Sequence, residues 1–418
     1  MLKVGHKTMG NKLKINRVFS IYLPYFKFLS KFVVQTICVL HYSFVKNKIG
    51  EWIKQNSLTT VIVSSTGGFG ISINTCDYIR VEKENNGYGL LWFGNSRRHN
   101  SYVQKILPKS CFYYCSIPFP LFYLFPEFIN IYLLILKKNL GDQITLIEYM
   151  DFLRLELGQK NTNWDDSSTY DWYRRYYSLF YDKYKSLEVN NFEIAWLNSI
   201  TDSRTENRIC VYVRYKGLKS GDWSNWIRNS RDLKDIKSIV ESEMFSNFTI
   251  LIVGDLNRKD YKDYFSQNKR IYTKWNVTKT QRKRFELISA AASSKFFGAV
   301  GGGITIPTVF GVKTLMIDYN GFHSSCPNAT IIYSHALDEF GNLVTPLEGL
   351  NKYSELALTQ KLKYSNIELH ELMKLIKVWL ELEDSDLKKL EVEQKSQITS
   401  SAIFKYTPNT RYINFKIT

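Results

Sequence analysis

The second half of the chain alternates short apolar runs with segments of helical periodicity. The runs are rich in β-branched and aromatic residues, as strands are, and comprise residues 208–213, 248–253, 295–297 and 315–318. Residues 284–292, just before the third run, space their apolar side chains at helical intervals. Strands that alternate with helices over about 110 residues predict a parallel, doubly wound α/β sheet.

The first half repeats this pattern. Residues 60–63, 88–93 and 111–115 have the composition of strands, and residues 72–81 and 99–107 that of helices. Asparagines between residues 184 and 208 interrupt the periodicity and predict a join between two Rossmann-like domains. The expected units are an N-terminal segment (1–50), a first domain (51–195), a second domain (205–345) and C-terminal helices with a polar tail (346–418).

A glycine cluster follows the third run of the second half. Gly301, Gly302 and Gly303 precede Ile304 and Thr305, where a short helix is expected. Glycines leave backbone N–H groups uncovered, and the positive end of a helix dipole behind them favours an anion. The pattern therefore predicts a phosphate site, although a tight turn without a ligand has the same sequence signature.

Polar residues end the neighbouring strands. Arg214 follows residues 208–213, and Gly254 and Asp255 follow residues 248–253. The carboxyl ends of parallel strands lie at one edge of a sheet, where ligands bind in doubly wound folds. We therefore expect these residues beside the glycine cluster, with Arg214 binding phosphate oxygens through two hydrogen bonds.

The first half has a glycine turn of its own, containing Gly67, Gly68 and Gly70. It lacks the third glycine of a dinucleotide fingerprint, and the next strand does not end in an acidic residue. These departures disfavour a nicotinamide or flavin site. An acceptor or sugar that lies close to the backbone fits the turn better.

Four stretches of the chain resemble the GT-B class of glycosyltransferases, in particular a poorly characterised bacterial subfamily of surface-carbohydrate synthesis. They are residues 211–214, the pair Arg228 and Asn229, residues 252–255, and residues 298–318, with weaker similarity at residues 70–77 and 92–95, which include Asn95. The resemblance implies two Rossmann-like domains facing a central cleft, a nucleotide-sugar donor in the second domain, and a lipid-linked or growing surface glycan as acceptor in the first.

Two departures from that subfamily concern the chemistry. Its turn usually carries serine where this chain has Val300 or Gly301, and relatives often have histidine where this chain has Ile71. A general base is then expected among the carboxylates, Asp77 or Asp222, and His323 is a candidate donor contact. Because no acidic pair or histidine cluster has metal-ligand spacing, we expect neither a metal nor a cofactor.

The charge balance indicates a polyanionic partner. The formal net charge is +17, from 56 basic and 39 acidic residues. Nucleic acid is disfavoured because no recognised binding motif occurs. Residues 1–50 interleave lysines with aromatic and aliphatic residues without an uninterrupted span, which predicts attachment to an anionic membrane surface. Without a signal peptide, the protein is expected to be cytoplasmic and peripheral on the inner face of the membrane.

Other functions are compatible with the same sequence. A non-catalytic or nucleic-acid-associated basic α/β protein would use the glycine turn only to close the sheet. A nucleotide-sugar epimerase of the same two-lobed fold would need carboxylates and a histidine in the cleft.

Overall fold

Two parallel β-sheets form the framework of the protein in a computed structural model. The structure describes residues 36, 40, 43, 45–64, 69–83, 86–94, 100–116, 136–138, 141, 144–149, 151–152, 155, 186–201, 207–214, 231–299, 302–320, 329–353, 361–397 and 411–412. The predicted fold class, α/β with two Rossmann-like sheets, is confirmed.

The first sheet has four parallel strands in the order β3-β2-β1-β4. These are β1 (Thr60–Ser64), β2 (Tyr88–Gly94), β3 (Phe112–Ser116) and β4 (Thr145–Glu148). The chain builds the sheet outward from β1 through β2 to β3 and then returns to the other side of β1 for β4. The order therefore changes direction between β1 and β4, directly beside the carboxyl end of β1.

The second sheet has seven strands in the order β14-β10-β9-β8-β5-β6-β7, and all its described pairings are parallel. Its strands are β5 (Arg208–Val213), β6 (Thr249–Gly254), β7 (Ile271–Thr273), β8 (Lys295–Gly298), β9 (Lys313–Tyr319), β10 (Ala329–Tyr333) and β14 (Arg411–Tyr412). The edge strand β14 lies in the segment predicted to be a polar tail. That prediction was wrong for these two residues, because they add to the sheet through backbone hydrogen bonds.

A small antiparallel sheet follows β10 in the chain. Its strands are β11 (His335–Leu337), β12 (Leu343–Val344) and β13 (Lys363–Ser365). The α-helices are α1 (residues 45–55), α2 (Phe69–Tyr78), α3 (Val103–Ile106), α4 (Asn191–Thr201), α5 (Leu233–Glu241), α6 (Arg258–Asp260), α7 (Arg282–Ala291), α8 (Thr305–Val309), α9 (Pro346–Lys352), α10 (Leu369–Glu381) and α11 (Asp384–Gln397). A π-helical turn, Ile79–Lys83, extends α2.

Helix α4 occupies the region where asparagines predicted an irregular join. Asn190 accepts a hydrogen bond from the backbone N–H of Phe192 through its side chain, at 2.8 Å. Asparagine at such a position caps the start of a helix, because its side-chain oxygen satisfies a backbone donor. The segment was expected to be irregular because its asparagines interrupt the helical periodicity. That expectation was wrong, because Asn190 caps the helix that begins at the next residue.

Alternate side chains of the second sheet enter two separate apolar clusters, as expected for a sheet covered on both faces. On the outer face, side chains of β5, β6, β8 and β9 pack against helices α5 and α10. On the inner face, the alternate side chains belong to a cluster that also contains Ile62, Leu90 and Trp92 of the first sheet. The two halves therefore share one apolar core.

The opposite face of the first sheet is covered by helix α1. Ile49, Trp52 and Ile53 are buried against Val61, Leu91 and other residues of this face. The helix crosses the predicted boundary at residue 50, so the last residues of the predicted N-terminal segment pack into the first half.

Polar contacts join the two halves at the border of the shared core. Glu193 on the connecting helix α4 accepts a hydrogen bond from the Tyr102 hydroxyl at 2.6 Å and pairs with Arg284 of α7 at 2.7 Å. Arg284 also lies over the ring of Trp196 at 3.9 Å. Burial and the Glu193 hydrogen bond raise the pKa of Tyr102 to about 12, so its hydroxyl remains a donor at neutral pH.

We expect Glu193→Gln to lower the free energy of unfolding by about 1.5–3 kcal/mol, because it weakens a charged hydrogen bond on each side of the connection. Glu188→Gln is the matched control, since Glu188 is exposed, and its effect should stay within about 0.5 kcal/mol. Urea unfolding of both variants measures the difference. Equal effects would mean that the Glu193 contacts contribute nothing to holding the halves together.

Candidate functional site

The second sheet changes direction between β5 and β8. The chain proceeds from β5 outward through β6 to β7 and then returns to the opposite side of β5 for β8. Helical connections therefore leave the carboxyl ends of β5 and β8 in opposite directions and open a crevice between them. Such a switch point is where ligands bind in open parallel sheets.

Arg214 lies at this switch point, as predicted. It directly follows β5 and is half-buried. A small cavity here is lined by Tyr212, Val213, Arg214, Arg231, Ile236, Ala299, Ile317 and Asp318. An arginine at the edge of a crevice can donate two parallel hydrogen bonds to phosphate or carboxylate oxygens.

The glycine turn follows β8 on the other side of the crevice. Residues Gly302–Ile304 form a 3-10 turn that leads directly into α8. Helix α8 has only five residues, so its dipole is weaker than the sequence suggested, and anion binding at the turn stays a prediction. Pro307 is the third residue of α8, an early position where its missing N–H costs nothing.

The two residues that follow the glycines, Ile304 and Thr305, have buried side chains. Ile304 is 1% exposed and Thr305 is 5% exposed. Both side chains therefore belong to the packing of α8, and a ligand in the crevice would meet the backbone of these residues.

Tyr212, which the sequence reasoning missed, lies among three glycines of this edge. A Cβ atom on Gly303 would stand 2.6 Å from Cε2 of its ring, and one on Gly254 would stand 3.0 Å from the same atom. A Cβ atom on Gly298 would stand 2.4 Å from the Tyr212 carbonyl oxygen. No sequence signal marks this residue, because its place opposite the glycine that ends β8 follows from the strand register of the folded sheet.

Gly254 and Asp255 lie at the carboxyl end of β6, as predicted. Gly254 has a φ of +102°, which side-chain-bearing residues rarely adopt, and its carbonyl oxygen accepts a hydrogen bond from Lys274 Nζ at 2.8 Å. Lys274 also pairs with Glu286 at 3.0 Å, while burial raises the pKa of Glu286. Lys274 follows β7, and Glu286 belongs to α7. Neither was predicted, because neither lies in a sequence motif.

A buried ion pair closes the far side of the cavity. Arg231 donates from Nε and Nη2 to the two carboxylate oxygens of Asp318, at 2.7 and 3.0 Å, and Nη2 also donates to the carbonyl oxygen of Ile367. Asp235 is a weaker partner, at 3.3 Å. Asp318 has a φ of +51°, so the end of β9 departs from strand geometry where this pair forms.

In the first half, Gly70 is the second residue of α2, and Asp77 lies near the end of that helix. Asp77 is 1% exposed, and its Oδ1 accepts hydrogen bonds from Arg80 Nη2 at 2.7 Å and Nε at 3.1 Å. Asp77 is therefore a buried, ion-paired carboxylate and not an exposed helix charge. Its proposed role as a base stays a prediction.

The remaining predicted site residues lie outside the described residues. They are Gly67, Gly68, Asn95, Asp222, Arg228, Asn229, Gly301 and His323. Within the described ranges, no group of three or more His, Cys, Asp and Glu side chains could hold a metal ion. None of the helices described here has the length and apolarity needed to cross a membrane.

The two halves meet at this site. Helix α2, which begins soon after β1, packs against the Gly302–Ile304 turn and against α8. The elements that leave the carboxyl end of β1 and the carboxyl end of β8 are therefore in contact. A ligand at the glycine turn would lie near the first half.

Comparisons with known proteins give structural likenesses only. No protein-family model matches the chain, and no curated protein matches it. Among solved structures, ADP-heptose lps heptosyltransferase II of E. coli is 10% identical, with 77% of this chain and 98% of that chain covered and a TM-score of 0.47. The glycosyl transferase family 9 structure from Veillonella parvula is 9% identical, with 77% and 97% covered and a TM-score of 0.49.

The UDP-GlcNAc 2-epimerase of Methanocaldococcus jannaschii is 11% identical, with 62% of this chain and 83% of that chain covered and a TM-score of 0.33. These proteins resemble this chain only in the course of the backbone, and their sequence identity to it is very low. They carry no argument about the reaction, which depends on the residues of the site.

We expect Asp318→Asn to lower the free energy of unfolding by about 3–5 kcal/mol, because it leaves the charge of Arg231 buried without its main partner. Asp235→Asn is the control at the same arginine. Its side chain is 36% exposed, so the loss should stay below about 1 kcal/mol. Guanidinium unfolding of both variants tests the ranking, and a larger loss in Asp235→Asn would contradict it.

Proposed function

We propose that this protein is a glycosyltransferase that moves a sugar from a nucleotide-sugar donor to a glycan acceptor. One observation carries the proposal. Arg214, the end of β6 at Gly254, and the Gly302–Ile304 turn gather around the switch point of the second sheet. A guanidinium beside the backbone N–H groups of a glycine turn suits a diphosphate.

The chemistry of glycosyl transfer explains why such donors matter. As the bond between sugar and phosphate breaks, negative charge grows on the leaving diphosphate and positive charge grows on the sugar. Donors fixed beforehand around the phosphate stabilise that charge without having to reorganise during the reaction. We propose that Arg214 and the turn N–H groups supply this stabilisation, so activity should persist in the presence of a metal chelator.

The first half is proposed to bind the acceptor. The contact of α2 with the glycine turn supports this assignment, because it brings the first sheet's switch point toward the donor. Asp77 and Asp222 stay the candidates for a general base. Asp77 is buried and ion-paired with Arg80, which holds its carboxylate in one orientation. A lipid-linked or growing surface glycan is the proposed acceptor class.

Nucleotide binding tests this function directly. UDP, GDP, ADP and CMP are each added to the wild-type protein, and one of them should raise the unfolding temperature, whereas duplex DNA should not. Arg214→Lys keeps the positive charge but loses the planar guanidinium that can donate two parallel hydrogen bonds. We expect this variant to weaken binding of that nucleotide by about 1–3 kcal/mol. Arg258→Lys is the control, because Arg258 is exposed on α6.

The outcomes separate the alternatives. A response to DNA and to none of the nucleotides would favour a nucleic-acid-associated protein. Conversion of a bound nucleotide sugar without any acceptor, detected by mass and chromatography, would favour an epimerase. Unchanged affinity in Arg214→Lys would show that Arg214 does not contact the donor.

We further propose that the protein works at the cytoplasmic face of an anionic membrane. The support is the formal net charge of +17 and the four lysines without an acidic residue in residues 1–14. Basic residues near an anionic surface each contribute roughly 1 kcal/mol, and salt screens that attraction.

Binding to liposomes should therefore rise with their phosphatidylserine content and fall as salt is added. Removal of residues 1–44, which spares the packed part of helix α1, should abolish binding and leave nucleotide affinity unchanged. Neutral liposomes are the control. Binding that resists high salt and yields only to detergent would contradict a peripheral attachment.

A further inference from the structure

Tyr212 is one of the residues that line the cavity at the switch point. Tyr212 belongs to β5, where its register partners are Val253 on β6 and Gly298 on β8. Its side chain lies on the inner face, stacked on Phe296 at 6.4 Å between ring centroids and 24° between ring planes. The residue is half-buried, so part of it remains accessible.

The three glycines around Tyr212 come from different parts of the chain. Gly254 ends β6, Gly298 ends β8, and Gly303 belongs to the turn that follows. Added Cβ atoms on Gly254 and Gly303 would both meet Cε2 of the ring, at 3.0 and 2.6 Å. The same edge of one ring therefore touches the end of β6 and the glycine turn.

This contact fixes where the turn lies. Backbone that packs directly against an aromatic ring, with no side chain between them, cannot move toward the ring, and it loses dispersion contacts if it moves away. The next residues, Ile304 and Thr305, are buried on the side of α8. The turn therefore lies between the ring and the core.

We propose that Tyr212 is the positioning residue of the donor site: its ring holds the Gly302–Ile304 turn in the geometry that binds the donor diphosphate. The inference rests on the proposed function and deepens it. A preorganised set of donors binds an anion more tightly than a mobile one, because less ordering accompanies binding.

A positioning role and a purely structural role of Tyr212 predict different effects of mutation. A ring that only filled the core would affect stability, and nucleotide affinity of the folded protein would not change. If the ring positions the turn, its loss should make the turn more mobile and should lower the nucleotide affinity of the folded protein. The hydroxyl has no part in the proposal, so a phenylalanine should serve as well as the tyrosine.

The experiment measures, by calorimetry, the Kd of whichever of UDP, GDP, ADP or CMP binds the wild-type protein. Tyr212→Phe should bind within about twofold of wild type, whereas Tyr212→Leu and Gly303→Ala should each weaken binding by about tenfold. In Gly303→Ala the new methyl group collides with the ring, but after Tyr212→Leu that collision is relieved. The double variant should therefore bind about as well as Tyr212→Leu alone.

Phe245→Leu is the stability control. Phe245 is fully buried in the cluster on the opposite face of the sheet. It should lower the unfolding temperature and leave the nucleotide Kd unchanged.

Hydrogen exchange gives a second readout that needs no nucleotide. The amides of residues 302–305 should exchange faster in Tyr212→Leu than in wild type or Tyr212→Phe, with Phe245→Leu as the control. This measurement also serves if Tyr212→Leu is too unstable for calorimetry, since Gly303→Ala alone should show the same faster exchange.

The outcomes distinguish the two claims. If no nucleotide binds the wild-type protein, the proposed function falls. If a nucleotide binds and Tyr212→Leu and Gly303→Ala bind it as tightly as wild type, the positioning role is overturned and the proposed function stands. Fully additive losses in the double variant would also overturn it, because ring and turn would then act independently.

Discussion

The apolar core shared by the two sheets is the constraint on which the rest of the structure depends. Inner-face residues of the first sheet and of the second belong to one continuous cluster, with helices α2, α7 and α8 between them. Separating the halves would expose this surface at a cost of roughly 25 cal/mol for each Å². The orientation of the halves follows from that burial, and the polar contacts of Glu193 select one alignment within it.

The shared core also determines where chemistry can occur. Helix α8 is too short to be stable alone, since isolated helices below about 12 residues are marginal in water. It persists because Ile306 and Val309 are buried in the shared cluster. The glycine turn therefore takes its position from the packing of both halves, and a ligand there would be held by an arrangement that neither half forms alone.

Much of the framework could be predicted from the sequence, because strands and helices leave local periodic signals. Strand β5 has the predicted bounds, and β2, β6, β8 and β9 begin or end within two residues of them. Helix α3 is shorter than predicted, with four residues. Apolar residues have helical spacing over the whole predicted segment. Its last residues, however, connect the helix to β3, and the sequence carries no periodic signal for such a connection.

The site was predictable only where it is made of motif residues. Arg214, Gly254 and the glycine turn were found because strand ends and glycine clusters are visible in the sequence. The pair of Arg231 and Asp318 was not, since 87 residues separate the partners and no local pattern links them. Tyr212 was missed for a different reason: a tyrosine in a strand is ordinary, and only the fold shows which backbone it touches.

The glycines of the turn show why a local pattern supports two readings at once. Their sequence suits an uncovered phosphate cradle, and it equally suits a close approach of other protein atoms. At Gly303 the structure gives the second reading, because the Tyr212 ring occupies the place of a side chain. The two readings need not compete, however. The ring touches the turn from one side, and the donors of the turn are useful to a ligand only if something fixes them. Packing on one side of a backbone is a physical means of preparing the other side to bind.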